Sequence, residues 1–375
     1  MRKIGILTQP LHQNYGGLLQ AYALKTVLIR LGYNPIILDR NPKSTLVRKI
    51  GSHVKTIIYK LLGRNRNFSY WLSKSDMKVI AKNTDYFINN YIEERSQKLY
   101  TTNELKKFIN SHDFYGYIVG SDQVWRPQYS PHIPTYFLEF AKDMQNVKRI
   151  SYAASFGVSD WEFTREQELI VKELIKLFDA VSVREDSGVA LCEQFLTTPA
   201  VHVLDPTMLL NKEDYIALVE NEKEPKSDGN LFTYVLDPTE HSLQFIKKAE
   251  NELGLKAFEV QPKYKRLSRE FVQEDLQGCV YPTVTKWLRA FMDADFIITD
   301  SFHGCVFSIL FNKPFITIGN IDRGSARFES LLKIFNLESC LNSSNFNIDY
   351  NWKSVNTRLD ALRKQSLNFI LKNIN

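Results

Sequence analysis

The residues best suited to chemistry lie in segment 299–304 (TDSFHG), directly after an apolar run. The apolar residues that follow predict a buried helix, so His303 stands where a strand turns into a helix. Such a helix would point its free N–H groups and the positive end of its dipole at a ligand beside His303. A histidine can titrate near neutral pH, and Asp300 can orient it or balance its charge. The segment therefore predicts an acid–base site in which Ser301 and Gly304 contact the ligand.

A second candidate motif is segment 13–24 (QNYGGLLQAYAL), which joins a predicted strand to a predicted helix. Gly16 and Gly17 would let a ligand approach the backbone closely, and Asn14 and Gln20 could hydrogen-bond sugar hydroxyls. The alternative is structural, since a tight strand-to-helix turn needs glycine in any case and Asn14 could cap it. The glycine spacing fits neither the dinucleotide-binding fingerprint nor a P-loop.

A third motif, segment 119–125 (VGSDQVW), also follows an apolar run. Ser121, Asp122, Gln123 and Trp125 combine a carboxylate, an amide and an aromatic ring, which suits a carbohydrate hydroxyl. Asp122 is a candidate base in this interpretation. The structural alternative, that Ser121 or Asp122 caps a helix or turn, carries equal weight on spacing alone.

Two further segments supply arginines. Arg184 follows a short apolar strand and could hold a phosphate or a carboxylate bidentately, or it could form a salt bridge with Glu185 or Asp186. Arg323 and Arg327 flank the start of a later predicted helix and could complete an anion pocket with the histidine. An exposed basic turn is the alternative for that pair.

No metal or cofactor site is expected. The histidines have no grouped spacing, and His12, in the first loop, is left without a role. The four cysteines are scattered and suggest reduced thiols of a cytoplasmic protein. These are Cys192, Cys279, Cys305 and Cys340.

The elements that must position these residues alternate between strand and helix. Strands are predicted at 3–7, 35–39, 115–119, 148–153, 180–183, 200–204, 231–236, 256–260, 296–299 and 315–318. Helices are predicted at 17–31, 102–110, 165–177, 186–195, 241–253, 283–293, 326–335 and 352–371. Short loops between strand and helix indicate parallel sheets, and the polar stretch 221–230 indicates a surface loop or hinge. We therefore expect an α/β protein with two Rossmann-like lobes facing a cleft. The expected bounds are 1–205 for an acceptor-side lobe, 206–350 for a donor-side lobe, and 351–375 for a terminal helix that can pack back on the first lobe.

Charge is unevenly distributed over the 375 residues, whose formal net charge is +6. Segment 40–74 alone holds nine Lys or Arg and no acidic residue, so the rest of the chain is net acidic and a nucleic-acid partner is not expected. Within an insert at 40–75, residues 43–66 place apolar and basic side chains on opposite faces of a helix, which suits an anionic membrane surface. An ordinary surface helix is the alternative. The start of the chain suggests a strand and no secretion signal, and no apolar run is long enough to cross a bilayer.

Taken in order, the motifs resemble those of the polysaccharide pyruvyl transferase family. The matching residues are 14–16 with 19–24, 120–125, 182–185 and 300–304. The combination is more specific than any single motif and extends from the first to the last third of the chain, although 40–110 carries no family motif. The resemblance implies a fold of the GT-B type, with the active site between two Rossmann-like domains.

What the resemblance implies for activity is transfer of pyruvate from phosphoenolpyruvate to a sugar, as a cyclic ketal across two hydroxyls, without metal or nucleotide. It implies His303 as the proton donor, Arg184 as the clamp on phosphate or carboxylate, and Asp122 as the group that positions or deprotonates the acceptor hydroxyl. The family often has arginine and tyrosine before the histidine. This chain has serine and phenylalanine there, which leaves one cation fewer unless Arg323 replaces it.

The resemblance also implies the class of acceptor. Family members act on capsule, cell-wall or exopolysaccharide precursors, which are often carried on a lipid. Segment 43–66 would then dock the protein on the inner face of the membrane that holds such a precursor.

Two other functions stay open at this stage. A nucleotide-sugar-dependent glycosyltransferase of the same fold would need an acidic or aromatic pocket for base and ribose, for which Asp237 and Glu259 could supply an acid. A non-catalytic glycan-binding protein would not need His303, Arg184 and Asp122. Assays with phosphoenolpyruvate and with UDP-sugars separate these functions.

Overall fold

Two parallel sheets, each alternating with helices along the chain, form the framework that positions the motifs. The structure, a computed structural model, describes residues 1–42, 72–130, 132–265, 267, 269–319 and 326–375. The basic segment 43–66 and Arg323 therefore lie outside the described residues.

The first lobe contains a six-stranded parallel sheet in the order β2-β1-β3-β4-β5-β6. Its strands are β1 (Lys3–Leu7), β2 (Asn34–Ile37), β3 (Phe114–Val119), β4 (Lys148–Ala154), β5 (Ala180–Val183) and β6 (Val201–His202). Its helices are α1 (Tyr15–Arg30), α2 (Lys74–Ile80), α3 (Lys82–Tyr91), α4 (Thr102–Asn110), α5 (Arg165–Ile175) and α6 (Asp186–Leu191). The central strands are almost continuously buried, as expected when helices cover both faces of a parallel sheet.

The second lobe contains a four-stranded parallel sheet in the order β10-β9-β7-β8. Its strands are β7 (Leu231–Tyr234), β8 (Ala257–Glu259), β9 (Phe296–Thr299) and β10 (Phe315–Thr317). The helices in this part of the chain are α7 (Lys212–Asn221), α8 (Glu240–Leu253), α9 (Arg269–Glu274), α10 (Val284–Asp293), α11 (Phe302–Leu310), α12 (Ala326–Phe335) and α13 (Trp352–Ile374). Every residue of α11 is buried, in keeping with a sequence that is apolar all round. The predicted α/β architecture with two parallel sheets is confirmed.

Apolar contacts and hydrogen bonds join the two lobes, in addition to the covalent connection of the chain. One apolar cluster contains residues of both lobes, among them Leu19 of α1 and Phe307 of α11. Helix α13 returns to the first lobe, where the Leu204 backbone N–H donates to Ser366 Oγ (3.1 Å). On the opposite side, α2 and α3 contact the second lobe through backbone and side-chain hydrogen bonds to Tyr281. We infer that the two sheets are held in a defined relation to each other.

The structure differs from the predicted elements at one place that matters for the site. Helix α1 begins at Tyr15, two residues before the predicted start at residue 17, so Gly16 lies in its first turn and not in the loop before it. The reason is that Asn14 Oδ1 accepts a hydrogen bond from the Gly17 N–H (3.2 Å) and caps the helix. The sequence patterns also did not predict α2, α3, α7 or α9. Among the described residues, no helix combines the length and the apolar character needed to cross a membrane.

Candidate active site

A cavity of about 830 Å³ opens between the lobes, beside the carboxyl ends of β1, β3, β7 and β9. This is where ligands bind in open parallel sheets. The first lobe contributes Gln9, Pro10, His12, Asn14, Asn41, Pro42, Asp122, Gln123, Gln128, Tyr129 and Ser130, and the second contributes Leu236, Asp237, Asp300, Ser301, Phe302, His303 and Arg327. Seven predicted site residues lie on these walls, namely Asn14, Asp122, Gln123, Asp300, Ser301, His303 and Arg327.

The turn from β9 into α11 places His303 on the cavity wall. Thr299 Oγ1 donates to the carbonyl of Tyr234 (2.8 Å) and accepts from the Ser301 N–H (3.0 Å). A Cβ at Gly304 would overlap Thr299 Oγ1, so only glycine lets the helix start this close to the strand. The Ser301 side chain makes no capping hydrogen bond, and the first turn of α11 faces the cavity with its dipole. An anion is favoured at this position.

Asp205 is the carboxylate nearest to His303, and the sequence analysis missed it. Its Oδ2 lies 3.7 Å from His303 Nε2, and the side chain is fully buried. Its Oδ1 accepts from both the backbone and the hydroxyl of Thr207 (3.0 and 2.7 Å), which fixes the carboxylate. Burial opposes the ionised form, but His303 and Arg184 hold the pKa of Asp205 well below its usual range. Asp205 directly follows the predicted strand 200–204, the placement that drew attention to the other motifs and could have identified it.

Arg184 is buried behind the cavity wall, which corrects its predicted role as a direct clamp on the donor. Its guanidinium pairs with Asp205 (Nη1 to Oδ2, 2.8 Å) and with Asp122 (Nη2 to Oδ1, 3.3 Å). Burial opposes its charge, but these two carboxylates raise the pKa of Arg184 above its ordinary value. Because the guanidinium already serves two carboxylates and lies off the cavity wall, it positions Asp122 and Asp205.

Asp122 occupies the wall formed by the first lobe. Its backbone has φ +70°, in the left-handed region that costs a non-glycine residue about 1 kcal/mol. Its Oδ1 accepts from the Gln123 N–H (2.9 Å) as well as from Arg184. Burial opposes ionisation, yet Arg184, His303 and Arg327 lower the pKa of Asp122, so the carboxylate is charged at neutral pH.

Arg327 supplies a cation to the cavity wall. It enters from α12, and its guanidinium lies over the Phe302 ring, 5.8 Å from the centroid. Arg184 lies over the same ring at 4.3 Å. Burial and the nearby Arg184 lower the pKa of Arg327 to about 10, so it keeps its charge at neutral pH. Phe302, the residue before His303, therefore contacts two arginine guanidinium groups, those of Arg184 and Arg327, which come from other segments of the chain.

The imidazole of His303 packs directly on the backbone of Gly16 in the other lobe. A Cβ at Gly16 would overlap Nδ1 and Cγ of His303, so the close approach of α1 and α11 requires glycine here. Gly16 thus positions the histidine across the cleft. Gly17, by contrast, donates its N–H to the Asn14 cap.

Two predicted ligand-binding residues prove to be structural. Gln20 is buried, with Nε2 donating to Thr8 Oγ1 (2.6 Å) and Oε1 accepting from the Ser121 N–H (3.1 Å). Ser121 is also buried, and its hydroxyl lies within hydrogen-bond distance of the Ala153 carbonyl and of Asp205 Oδ2. Their polar atoms are used by the protein, so they tie β1, α1 and the loop after β3 together.

Trp125 and Asp300 also differ from their predicted roles. Trp125 is fully buried, donates Nε1 to the carbonyl of Tyr136 (2.9 Å) and stacks on Phe137, so it belongs to the core. Asp300 touches the cavity, but its two oxygens accept from the backbone N–H groups of Leu236 and Asp237 (2.7 and 2.9 Å). It holds the loop after β7, while Asp205 stands next to the histidine nitrogen.

Two residues without a predicted role face the cavity. His12 lines the cleft, and its side chain keeps contact with solvent. The protein atoms around the ring reduce its hydration and lower its pKa, although Asp122 and Asp39 nearby act in the opposite direction. Tyr129 is 45% exposed, with the Arg126 guanidinium over its ring (4.7 Å). A paired Glu162 fixes that arginine over the ring.

Comparison with known proteins places this cleft in context. The sequence profile described as polysaccharide pyruvyl transferase matches residues 14–323. The chain belongs to the polysaccharide pyruvyl transferase family. The matched range contains His303, Asp122, Arg184 and Asp205, while Arg327 lies beyond it. A sequence comparison with curated proteins gives no match.

Solved structures show the fold of this family member. A UDP-GlcNAc 2-epimerase from Neisseria meningitidis, bound to UDP-GlcNAc, is 9% identical over 100% of this chain and 99% of its own, with a TM-score of 0.51. MurG of Acinetobacter baumannii is 9% identical over 100% and 99%, with a TM-score of 0.43. A UDP-GlcNAc 2-epimerase of Methanocaldococcus jannaschii is 12% identical over 96% and 92%, with a TM-score of 0.48. The likeness to the Neisseria 2-epimerase, at a TM-score of 0.51, shows the predicted GT-B-like fold. Family membership supports transfer of pyruvate to a polysaccharide.

Proposed function

We propose that this protein transfers pyruvate from phosphoenolpyruvate to two hydroxyls of one sugar in a polysaccharide or glycolipid precursor, forming a cyclic ketal. The observation that supports the proposal is that the two lobes place complementary groups on opposite walls of one cavity. The second lobe presents His303, Arg327 and the first turn of α11, and the first lobe presents the charged Asp122.

The donor side is the wall of the second lobe. Phosphoenolpyruvate is a small anion with a phosphate and a carboxylate, so it needs a cation and N–H donors more than a large pocket. Arg327 is charged and lines the cavity, and the helix start beside it favours an anion. Arg184 acts through Asp122 and Asp205 in this proposal, because its guanidinium pairs with both carboxylates and lies off the cavity wall.

His303 delivers a proton to the methylene carbon of the enol. The carbon–carbon double bond breaks to form a C–H bond, which leaves an oxocarbenium-like centre bonded to the phosphate oxygen. Asp205, 3.7 Å from Nε2, balances the charge of the imidazole in its protonated form. Gly16 beneath the ring holds it in place. Acid catalysis of this kind contributes about 10²- to 10⁴-fold to a rate.

Asp122 positions the first acceptor hydroxyl, which attacks the cationic carbon and loses its proton. Phosphate then leaves with the electron pair of its C–O bond, and the second hydroxyl closes the ring and loses its proton. Of the two hydroxyl protons, one restores the proton that His303 gave up and the other leaves on the released phosphate. One phosphate is released for each ketal formed. Asp122 remains ionised at neutral pH, as this role requires.

The test is release of inorganic phosphate from phosphoenolpyruvate across a panel of aryl glycosides and lipid-linked sugars, with mass analysis of the product. We expect phosphate release and one added pyruvyl group with at least one acceptor, and loss of both in His303→Gln. A parallel arm offers UDP-sugars. Release of UDP without consumption of phosphoenolpyruvate would favour a glycosyltransferase, and glycan binding without either reaction would favour a binding protein.

A further inference from the structure

A second cavity, of about 360 Å³, adjoins the candidate active site at the carboxyl ends of β7 and β8. It shares His12, Asn14 and Leu236 with the larger cavity, so the two spaces are continuous. Its remaining wall includes Gln13 from the first lobe and Gln261 from the second. A ligand that extends from the active site could therefore enter it without leaving the cleft.

The groups on this wall suit a neutral, hydroxyl-rich ligand. Gln261 Nε2 donates to the carbonyl of Val235 (3.1 Å), which fixes the orientation of its amide. Among the described residues, no group hydrogen-bonds the side chain of Gln13, so its amide can serve a ligand. Tyr281 adds an aromatic ring, and burial raises its pKa, so the phenol stays neutral. Amides beside an aromatic ring form a typical binding site for a sugar.

Charge argues against an anion in this cavity. The one cationic side chain among the described residues on its wall is Lys265, which pairs with Glu259 (2.7 Å) and donates to the carbonyl of Val235 (3.3 Å). No arginine, aspartate or glutamate lies among those wall residues. A diphosphate would need a free cation in this cavity, and Lys265 is already paired with Glu259. A neutral sugar needs no cation.

The wall is held by both lobes. The backbone N–H of Tyr281 donates to the carbonyl of Ile80 in α2 (3.1 Å), and Asn83 Nδ2 of α3 donates to the Tyr281 carbonyl (2.7 Å). Tyr15 Oη of α1 donates to the carbonyl of Pro282 (3.0 Å). These hydrogen bonds fix the backbone of Tyr281 and Pro282 against the first lobe, which reduces the entropy cost of holding a flexible glycan.

We propose that this cavity is a glycan subsite that holds the sugar unit next to the one that receives pyruvate. The inference rests on the proposed function and deepens it, because it makes the acceptor a chain of at least two sugars. Gln13, Gln261 and Tyr281 then determine how strongly the longer acceptor is preferred.

The test compares aryl monosaccharides with the disaccharides that carry the same reacting sugar, in the wild type and in Gln13→Ala and Tyr281→Leu. In the wild type we expect the KM of the disaccharide to be about 10-fold lower than that of the monosaccharide, with similar kcat. Each variant should raise the disaccharide KM about 3- to 10-fold, the range for one lost hydrogen bond or ring contact, and leave monosaccharide kinetics unchanged. Gln244→Ala, an exposed position on α8, is the matched control.

Equal KM values for the two acceptors, or variants that weaken both acceptors equally, would overturn the subsite and leave the proposed function standing. Competition by UDP against the disaccharide, lost in Gln13→Ala, would make the cavity a nucleotide site and also overturn it. If no sugar accepts pyruvate, the proposed function fails, and saturation-transfer NMR with the same disaccharides decides the subsite alone. Disaccharide binding that Gln13→Ala abolishes supports it, and unchanged binding contradicts it.

Discussion

At the scale of single residues, the candidate site depends on Asp205, whose carboxylate contacts Arg184 and Ser121 and lies next to His303. None of these three partners is exposed, so Asp205 acts by holding Arg184, Ser121 and His303 in position. If Asp205 were neutral, His303, the proposed catalytic histidine, would lose its nearest carboxylate. Arg184 would lose one of the two carboxylates that pair with it.

We expect Asp205→Asn to lower kcat by about 10² or more, because His303 loses the charge that balances its protonated form. A shift in the pH–rate profile should accompany the loss, which a defect in folding alone would not produce. Asp143→Asn, at an exposed position, serves as the control. An unchanged kcat together with an unchanged pH profile would contradict the role of Asp205.

The same variant makes a prediction about stability. Removing one partner of a buried ion pair costs about 3–5 kcal/mol. The pKa of Asp205 is lower in the folded than in the unfolded chain, so its stabilisation is complete above the unfolded value of about 4 and is lost as the pH falls below that value. Urea unfolding of wild type and Asp205→Asn should therefore differ most above about pH 5 and converge towards pH 2. A difference that stays constant with pH would show that folding does not lower the pKa of Asp205.

Sequence reasoning identified residue types well and residue orientation poorly. His303, Asp122 and Arg327 stand on the cavity wall where their motifs suggested. Trp125, in the motif of Asp122, and Gln20, in the motif of Asn14, point into the protein. A short polar motif after a strand contains both ligand-facing and core-facing positions, and only packing decides between them.

At the scale of elements, the site exists because the first turns of α1 and α11 meet across the cleft at Gly16 and His303. Both helices follow parallel strands, so both present their positive ends to the same space. The sequence allowed the glycine pair to be interpreted as a turn. The Asn14 cap instead draws both glycines into the helix, which a single sequence could not decide.

Gly16→Ala should therefore be far more harmful than Gly17→Ala. A methyl at Gly16 must displace the His303 ring, at a cost of about 1–3 kcal/mol for overpacking and about 10²-fold in kcat for a misplaced acid. A methyl at Gly17 meets only the flexible side chain of Asn14, at 3.2 Å or more. Thermal unfolding and steady-state kinetics of the two variants provide the measurement. Equal effects would show that the lobes do not meet as closely as the structure indicates.

At the scale of the whole molecule, the two-lobed α/β architecture could be predicted because predicted strands and helices alternate along the chain with short loops between them. Helices α2 and α3, which contact the second lobe, could not be predicted, since their hydrogen-bond partner there, Tyr281, is distant in sequence. Asp205 was missed for the same reason, since it reaches His303 from another element. Their association is a property of the tertiary fold.

The basic segment 43–66 lies outside the described residues, and its contact with an anionic membrane stays a prediction from sequence. It begins directly after Pro42, which lines the cleft. We expect co-sedimentation with liposomes that contain phosphatidylglycerol, and reduced binding when Arg48, Lys49, Lys55 and Lys60 are replaced by glutamate. Binding that does not depend on anionic lipid would contradict the prediction.

The central claim is that this cleft forms a pyruvate ketal with His303 as the proton donor. The most direct measurement is NMR of the product formed from phosphoenolpyruvate and an accepted sugar in D₂O, for the wild type and His303→Gln. We predict a ketal methyl group that carries one solvent deuterium, one phosphate released per ketal, and a rate at least about 10²-fold lower in the variant. A product without pyruvate, or a variant that forms the same ketal at the wild-type rate, would contradict the account.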